Sequence, residues 1–221
     1  MDARAFFFLL VICTAALDHI DGRLLADLRE SHLVHAASQV SVEVYYESLC
    51  PFSAKFIEMS LVPLMESPLR PFVSLTMFPY GNAKTDGKHF KCQHGEAECA
   101  LNTIQGCILH YSKKSLAAIA CIEKDLPQDW AQCVDTGERS AIETCTKDGE
   151  GTHLMQGAAK ATEALKPPHT YVPYVVINGK HSEENEQNLE RAVCSSLGND
   201  APAYCSKAQS VAVFGRTFLS V

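Results

Sequence analysis

The sequence has little positive charge, with 19 lysines and arginines against 26 aspartates and glutamates and a formal net charge of −7. This balance argues against a nucleic-acid or anionic-membrane binder, because such proteins usually carry a basic face. Internal repeats and low-complexity segments are lacking, and no Ser-His-Asp set, phosphate loop or catalytic carboxylate pair stands out. The 221 residues, 47% of them hydrophobic, suffice for one domain with a core. Small molecules and other proteins remain as partners.

Long hydrophobic runs are also scarce, and the sequence has one, near its N-terminus. It extends from Ala5 to Leu17, follows Arg4 and ends in small residues before Asp18. Its length and order are typical of a signal peptide and too short for a stable membrane span. A buried first strand or helix of the domain is the alternative. We therefore predict a signal peptide over residues 1–17 and a mature protein in the secretory pathway.

The cysteine count leaves one thiol without a partner. Cys13 lies in the predicted signal peptide, and setting Cys50 aside leaves an even number that can close four disulfides in an oxidising compartment. These eight are Cys92, Cys99, Cys107, Cys121, Cys133, Cys145, Cys194 and Cys205. Many pairings are open, and the sequence favours one, Cys194 with Cys205, because these two flank the end of the last predicted helix.

Cys50 stands where a predicted strand, Val40–Tyr46, gives way to a helix beginning near Ala54. The positive end of a helix dipole favours a thiolate over a thiol. The spacing is that of a Cys-x-x-Cys thiol–disulfide oxidoreductase, but the second cysteine is lacking and Ser53 replaces it. Ser53 can satisfy free N–H groups of the first helical turn or donate a hydrogen bond to the Cys50 thiolate. It cannot attack a mixed disulfide.

The elements around Cys50 predict a βαβ unit. Apolar residues recur at helical spacing after Cys50 until Pro63, which kinks or ends the helix, and a second strand is predicted over Val73–Phe78. Cys50 then lies at the C-terminal edge of the first strand, where open α/β sheets place their sites.

The following stretch is predicted to be a helical insertion. Residues from about Glu96 to Leu165 have helical periodicity, and six of the eight paired cysteines lie between Cys92 and Cys145. The pattern then returns to strand and helix: a strand over Tyr171–Ile177, a hairpin turn at Asn178-Gly179 and a last helix over Glu183–Leu197.

Pro173 is the second predicted element of the site. In a thioredoxin-like fold, a proline that opens the strand opposite the cysteine motif is cis and brings the preceding backbone, here Val172, beside the reactive sulfur. An ordinary trans proline is the alternative. The sequence thus predicts an α/β, thioredoxin-like domain over residues 40–206, with a disulfide-stapled helical insertion at about 92–166 between the second strand and the cis-proline strand. Residues 18–39 form a leader of uncertain structure, and residues 207–221 form a tail.

Three residues of zinc-ligand type, Cys92, His94 and Cys99, lie close together in the sequence. Cysteines of a secreted, cysteine-rich chain normally oxidise, and this spacing fits no compact ligand pair. We expect disulfides here, His94 as a surface or capping residue, and no metal or cofactor.

The stretch from Cys92 to Cys107 matches the pattern CQHG-x-x-E-C-x-x-N-x-x-x-x-C. In this it resembles the gamma-interferon-inducible lysosomal thiol reductase family. The resemblance continues through Tyr46–Phe56, Pro79–Asn82 and Pro167–Pro173 with Asn178-Gly179. It implies a thioredoxin-like fold with a helical insertion, and reduction of protein disulfides in acidic endosomal or lysosomal compartments.

The resemblance assigns the nucleophile role to Cys50, but Ser53 cannot take the resolving role of the family's second cysteine. We expect Pro51, Phe52 and Val172 to contact substrate. No Asn-x-Ser/Thr sequon is present, which argues against the glycan-dependent sorting usual for lysosomes. The expected location is therefore extracellular or a lysosome or vacuole.

Three functions are in keeping with this pattern, and the oligomeric state stays open. The first is a reductase of protein disulfides that works through Cys50 alone, with an external thiol such as glutathione or cysteine resolving the mixed disulfide. The second is a covalent trap or redox chaperone for its clients. The third is a secreted, disulfide-rich binding module in which Cys50 is incidental.

Overall fold

The computed structural model describes residues 39–87, 89–124 and 129–206. The predicted signal peptide, nearly all of the predicted leader and the predicted tail lie outside the described residues. Within the described part, a four-stranded sheet carries the site, and a group of helices lies between its second and third strands in chain order.

The sheet consists of β1 (Val40–Tyr46), β2 (Val73–Pro79), β5 (Tyr174–Ile177) and β6 (Lys180–His181), in the order β2-β1-β5-β6. β1 is parallel to β2 and antiparallel to β5, and β5 is antiparallel to β6. The predicted βαβ unit and the later hairpin are therefore both present. Asn178 and Gly179 form the hairpin turn with φ of 48° and 73°, which is the left-handed pair that a two-residue turn between strands requires.

The helix after Cys50 continues past Pro63, so the proline does not end it. It comprises α1 (Pro51–Phe56), a π-helical turn (Ile57–Leu61) and α2 (Val62–Glu66). Proline has no backbone N–H to donate to the preceding turn, and a π turn is one known way to absorb such a break. The strand β2 follows a short 3₁₀ turn, Arg70–Phe72.

The predicted helical insertion consists of four α-helices with breaks between them. They are α3 (Glu96–Tyr111), α4 (Ser115–Lys124), α5 (Arg139–Lys147) and α6 (Glu150–Glu163), with a 3₁₀ turn at Trp130–Gln132. A small hairpin of β3 (Lys84–Thr85) and β4 (Phe90–Lys91), which the sequence pattern did not predict, precedes them.

Four disulfides close the eight cysteines, and Cys50 is free among the described cysteines. Three of these disulfides link residues within the helical insertion: Cys92–Cys99, Cys107–Cys145 and Cys121–Cys133. The fourth is Cys194–Cys205, the one pairing that the sequence favoured.

The prediction of one final helix over Glu183–Leu197 was wrong. Two helices occupy this stretch, α7 (Glu183–Gln187) and α8 (Leu189–Leu197), and Asn188 between them has non-helical angles (φ −144°, ψ 60°). A 3₁₀ turn at Gly198–Asp200 follows α8. Contacts from α7 to the sheet accompany the break: Asn185 Nδ2 donates to the Val175 carbonyl and Glu186 accepts from the Val175 N–H.

One hydrophobic core joins the sheet to the helices. Val42, Val44 and Tyr46 of β1 are fully buried and belong to the same cluster as apolar residues of the active-site helix and the insertion, among them Ile57, Leu61, Ile108, Ile119 and Ile142. Burial of such side chains is the dominant stabilising contribution of a domain of this size. In the described part of the chain, no helix is both long enough and apolar enough to cross a membrane.

The strand register brings three chain segments to one edge of the sheet. Tyr46, the last residue of β1, pairs with Pro79, the last residue of β2. Tyr45 pairs with Tyr174, the first residue of β5. The segments after β1 and β2 and the segment before β5 therefore meet at the same edge, and these segments contain the candidate site.

Candidate active site

Cys50 is the N-terminal capping residue of α1. Its backbone is extended (φ −83°, ψ 117°), and its carbonyl accepts the N–H of Ala54 at 3.0 Å. Pro51 follows at the first helical position, where its missing N–H costs nothing. The sulfur therefore lies at the positive end of the helix dipole, as the sequence predicted. The free Cys50 is buried, with only 6% of the residue exposed.

Ser53 is fully buried in the first turn of α1. Its Oγ has no hydrogen-bond partner among the described residues. Both roles that the sequence suggested for this hydroxyl, capping free N–H groups and donating to the Cys50 sulfur, are therefore not realised in this structure. Ser53 therefore stands at the position of the second cysteine of a Cys-x-x-Cys motif, and its hydroxyl makes no hydrogen bond with the described residues.

The Val172–Pro173 peptide bond is cis, as expected of a proline opposite the cysteine motif. Pro173 immediately precedes β5, and the Tyr45–Tyr174 pair places it level with the end of β1. Val172 is 7% exposed. A second cis bond, Lys166–Pro167, lies upstream.

The surface beside Cys50 is apolar and exposed. Phe52, two residues after Cys50, is 70% exposed, and Met59, seven residues further along the same helical segment, is 65% exposed. A contiguous exposed apolar surface commonly marks a binding site, whereas single exposed apolar residues are ordinary. Pro51 is exposed as well.

Several buried polar residues, to which the sequence pattern assigns no role, lie in and around the turn before Cys50. Glu47 and Ser48 are buried in this turn, and Glu98 and Asn102 are buried in α3. Ser48 bonds to Asn102, and Glu47 bonds to the backbone of Asn82. The available signal was the family pattern itself, because Glu98 and Asn102 are two of its fixed positions.

Burial raises the pKa of Glu47, and the nearby Glu98 carboxylate raises it further. The N–H of Asn82 and the side chain of His94 oppose this effect, because both stabilise the charged form. His94 Nδ1 lies 2.6 Å from Glu98 Oε2 and 3.8 Å from Glu47 Oε1. His94 therefore contacts both buried carboxylates, in addition to the surface or capping position that we expected of it.

Glu47, His94 and Glu98 are also the residues of the described chain that could hold a metal ion, with ligand atoms within 4.8 Å of one another. Protein donors already bond to these carboxylates: Glu98 Oε2 accepts the His94 N–H at 2.7 Å, and Glu47 Oε2 accepts the Asn82 N–H at 2.7 Å. The bond from the His94 N–H to Glu98 is a capping contact at the start of α3. Cys92 and Cys99 form a disulfide, so these two cysteines and His94 do not form a zinc site.

A free cysteine at a helix N-terminus, level with a cis-proline at one edge of a β2-β1-β5-β6 sheet, defines the thioredoxin-like class of proteins. Solved structures with similar folds agree. The DsbA of Chlamydia trachomatis matches with a TM-score of 0.54 and 12% identity over 73% of this chain and 88% of that one. The disulfide bond oxidoreductase DsbG of Mycobacterium tuberculosis matches with a TM-score of 0.52 and 18% identity over 77% and 83%.

Sequence comparisons identify the family. The family model described as gamma interferon inducible lysosomal thiol reductase (GILT) matches residues 41–147. The Carassius auratus gamma-interferon-inducible lysosomal thiol reductase is 38% identical over 77% of this chain and 74% of its own length. The Arabidopsis thaliana gamma-interferon-responsive lysosomal thiol protein is 33% identical over 85% and 84%. The chain belongs to the GILT family.

Proposed function

We propose that this protein is a thiol reductase of protein disulfides that works through the single thiol of Cys50. One observation carries the proposal: every other described cysteine is in a disulfide, while Cys50 is free at the N-terminus of α1. The relatives' names support reductase activity, and the thioredoxin-like fold supports the site at this sheet edge.

The chemistry is thiol–disulfide exchange. The Cys50 thiolate attacks one sulfur of a substrate disulfide, a mixed disulfide forms, and the other substrate sulfur leaves as a thiolate. An external thiol such as glutathione or cysteine then attacks Cys50 Sγ and releases the second substrate thiol. A second external thiol restores Cys50 and leaves as the oxidised small-molecule disulfide. Two external thiols are therefore oxidised for each substrate disulfide that is reduced.

We assign substrate contact to Pro51, Phe52 and the backbone of Val172. The exposed ring of Phe52 offers an apolar surface directly after the nucleophile. In this arrangement the Val172 backbone, fixed by the cis bond before Pro173, pairs with an extended substrate segment. Because Cys50 is only 6% exposed, we expect selection for substrate disulfides that project from a flexible segment.

Ser53 favours a second candidate function, the covalent trap. Its buried hydroxyl cannot displace a bound client, so the mixed disulfide persists wherever external thiol is scarce. The same protein would then retain its clients instead of turning over. The intact nucleophile and cis-proline arrangement disfavours the third possibility, a binding module in which Cys50 is incidental.

The names of the relatives also support a proposal about the cellular location. Relatives from Carassius auratus and Mus musculus are named lysosomal thiol reductases, and we propose an acidic compartment of the secretory pathway, or the extracellular space, for this chain. The four disulfides are in keeping with an oxidising route to either place.

A turnover assay on a disulfide-linked, dye-quenched peptide separates these functions. Without added thiol the wild-type protein should cleave at most one equivalent of peptide, and it should turn over repeatedly only when glutathione or cysteine is added. Cys50→Ala should lower the rate at least about 100-fold. Ser53→Cys should shorten the lifetime of the mixed disulfide at least about tenfold, because an intramolecular thiol acts at a high effective concentration.

Each function gives a different result in this assay, run at acidic and at neutral pH. Full activity of Cys50→Ala would exclude Cys50 as the nucleophile. A wild-type mixed disulfide that added thiol does not release would identify the trap, and absence of any mixed disulfide would favour the binding module. An unchanged lifetime in Ser53→Cys would mean that resolution does not limit turnover.

A further inference from the structure

The turn between β1 and the nucleophile has a backbone conformation that needs support. Leu49, directly before Cys50, has φ of 65°, in the left-handed region that is unfavourable for a residue with a side chain. Such conformations persist where surrounding contacts hold them. The angle at Leu49 sets the direction in which Cys50 enters α1. Whatever fixes the turn therefore also fixes the sulfur.

The first support comes from α3. Asn102 Oδ1 accepts two hydrogen bonds from Ser48, one from the backbone N–H at 2.9 Å and one from Oγ at 2.8 Å. Ser48 Oγ also lies 3.2 Å from the carbonyl of Glu98. Both Ser48 and Asn102 are fully buried, so water does not compete for these bonds and their loss would leave polar groups unsatisfied.

The second support comes from the segment after β2. The Asn82 N–H donates to Glu47 Oε2 at 2.7 Å, and Asn82 Nδ2 donates to Gln93 Oε1 at 2.8 Å. Gly81 has φ of 58°, and a Cβ there would lie 2.4 Å from Glu47 Oε2. Only glycine therefore allows this segment to approach the Glu47 carboxylate so closely.

We infer that Asn102 is a positioning residue for the nucleophile, acting through Ser48, with Glu47 and Asn82 as a second anchor of the same turn. The inference assigns a role to two stretches that the proposed chemistry does not use, the Cys92–Cys107 pattern and Pro79–Asn82. It rests on the proposed function, because it concerns Cys50 as the attacking thiol. None of these residues needs to touch the reacting sulfur.

The chain offers a matched control on the same helix. Gln105 is also fully buried in α3, and its side-chain amide bonds to Glu123 instead of the turn. Asn102→Ala and Gln105→Ala both remove a buried amide from α3, so both should lower stability. Only Asn102→Ala should change the reactivity of Cys50.

The test is the rate at which iodoacetamide alkylates Cys50 in the folded, unreduced protein, measured across acidic to alkaline pH with peptide mapping. We expect Asn102→Ala to slow alkylation about tenfold at neutral pH and to alter the pH profile, because the turn no longer holds the Cys50 sulfur in one position at the helix end. Gln105→Ala should keep the wild-type profile. Circular dichroism confirms that each variant is folded.

Ser48→Ala is the second variant, in case Asn102→Ala does not fold. It removes the hydroxyl bonds but keeps the Ser48 N–H bond, so we expect a smaller loss, about threefold. In the double variant the two losses should be less than multiplicative, since both act on one contact. A wild-type profile in either folded variant, or an equal loss in Gln105→Ala, would overturn the inference. Failure of wild-type Cys50 to be labelled would instead overturn the proposed function.

Discussion

The sheet region and the helical region of this protein are held together by different means. The sheet region, made of β1, α1, α2, β2, β5 and β6, contains no disulfide in its described residues, and its central strand is fully buried at Val42, Val44 and Tyr46. The helical region, α3 to α6 with the residues directly before it, contains three disulfides. Both regions contribute to one apolar core, and covalent links restrict the helical region in addition.

The difference has a consequence for the nucleophile. A reactive thiol in a cysteine-rich chain risks pairing with the wrong partner, and Cys50 lies in the region that has no disulfide of its own. Contact with the helical region is nevertheless direct, because Asn102 of α3 bonds to Ser48 two residues before Cys50. The helical region therefore holds the turn before Cys50 through Asn102, while its own cysteines are all in disulfides and cannot pair with Cys50.

Removing one cross-link should produce the largest change in stability. Cys107–Cys145 joins α3 to α5, both sulfur-bearing residues are buried, and the sequence separation is 38. We expect Cys107→Ala with Cys145→Ala to lower the free energy of unfolding by roughly 4 kcal/mol. Urea unfolding under non-reducing conditions measures this change in the free energy of unfolding.

Two further variants make this result specific. Cys121→Ala with Cys133→Ala opens a loop of separation 12 and should cost roughly 3 kcal/mol. Cys50→Ala removes no cross-link and should change the free energy of unfolding by less than about 1 kcal/mol. A loss in Cys50→Ala as large as in the paired variants would contradict the division into a cross-linked and a burial-stabilised region.

The boundary between the two regions contains a buried acid. Glu123 of α4 accepts a hydrogen bond from Gln105 and acts electrostatically on Tyr46 of β1. Burial raises the pKa of Glu123 to about 7. Between the pKa of the unfolded chain, 4.5, and about 7, the folded state binds more protons than the unfolded state. The stability of the protein should therefore fall as the pH rises through this window.

Glu123→Gln should remove this dependence, because glutamine keeps the shape and the acceptor oxygen but does not ionise. At neutral pH we expect the variant to be more stable than the wild type by up to about 3 kcal/mol, with no gain at acidic pH below the unfolded value. Urea unfolding at both pH values measures it. The exposed Glu66→Gln serves as the control, and an equal gain there would show that net charge, not burial, is responsible.

The sequence predicted those features that depend on local chemistry. The strand before Cys50, the Asn178-Gly179 turn and the Cys194–Cys205 pairing all follow from residues close together in the chain. The sequence did not predict the break at Asn188, where contacts from α7 to the Val175 backbone accompany the interruption of a helical pattern. These contacts with the sheet accompany the break, and the periodicity of the helix does not describe them.

The buried polar contacts of the turn were missed for the same reason. Ser48 and Asn102 are 54 residues apart, and Glu47 and Asn82 are 35 apart. Periodicity and capping rules concern neighbours in the chain, so neither pair leaves a signal that they can detect. Of these four residues, Asn102 is a fixed position of the Cys92–Cys107 pattern, and the fold shows that it contacts Ser48.

The smallest expected effect concerns two serines that are both fully buried near Cys50. Ser48 bonds to the helical region through Asn102, whereas Ser53 Oγ has no partner among the described residues. A buried hydroxyl without a partner keeps its desolvation cost, so Ser53→Ala should raise the free energy of unfolding by about 1 kcal/mol, and Ser48→Ala should lower it by a similar amount. Thermal unfolding of the two variants beside the wild type measures the difference. Equal losses in both would mean that the Ser53 hydroxyl is satisfied in solution, and that the sheet region, like the turn, depends on buried polar contacts.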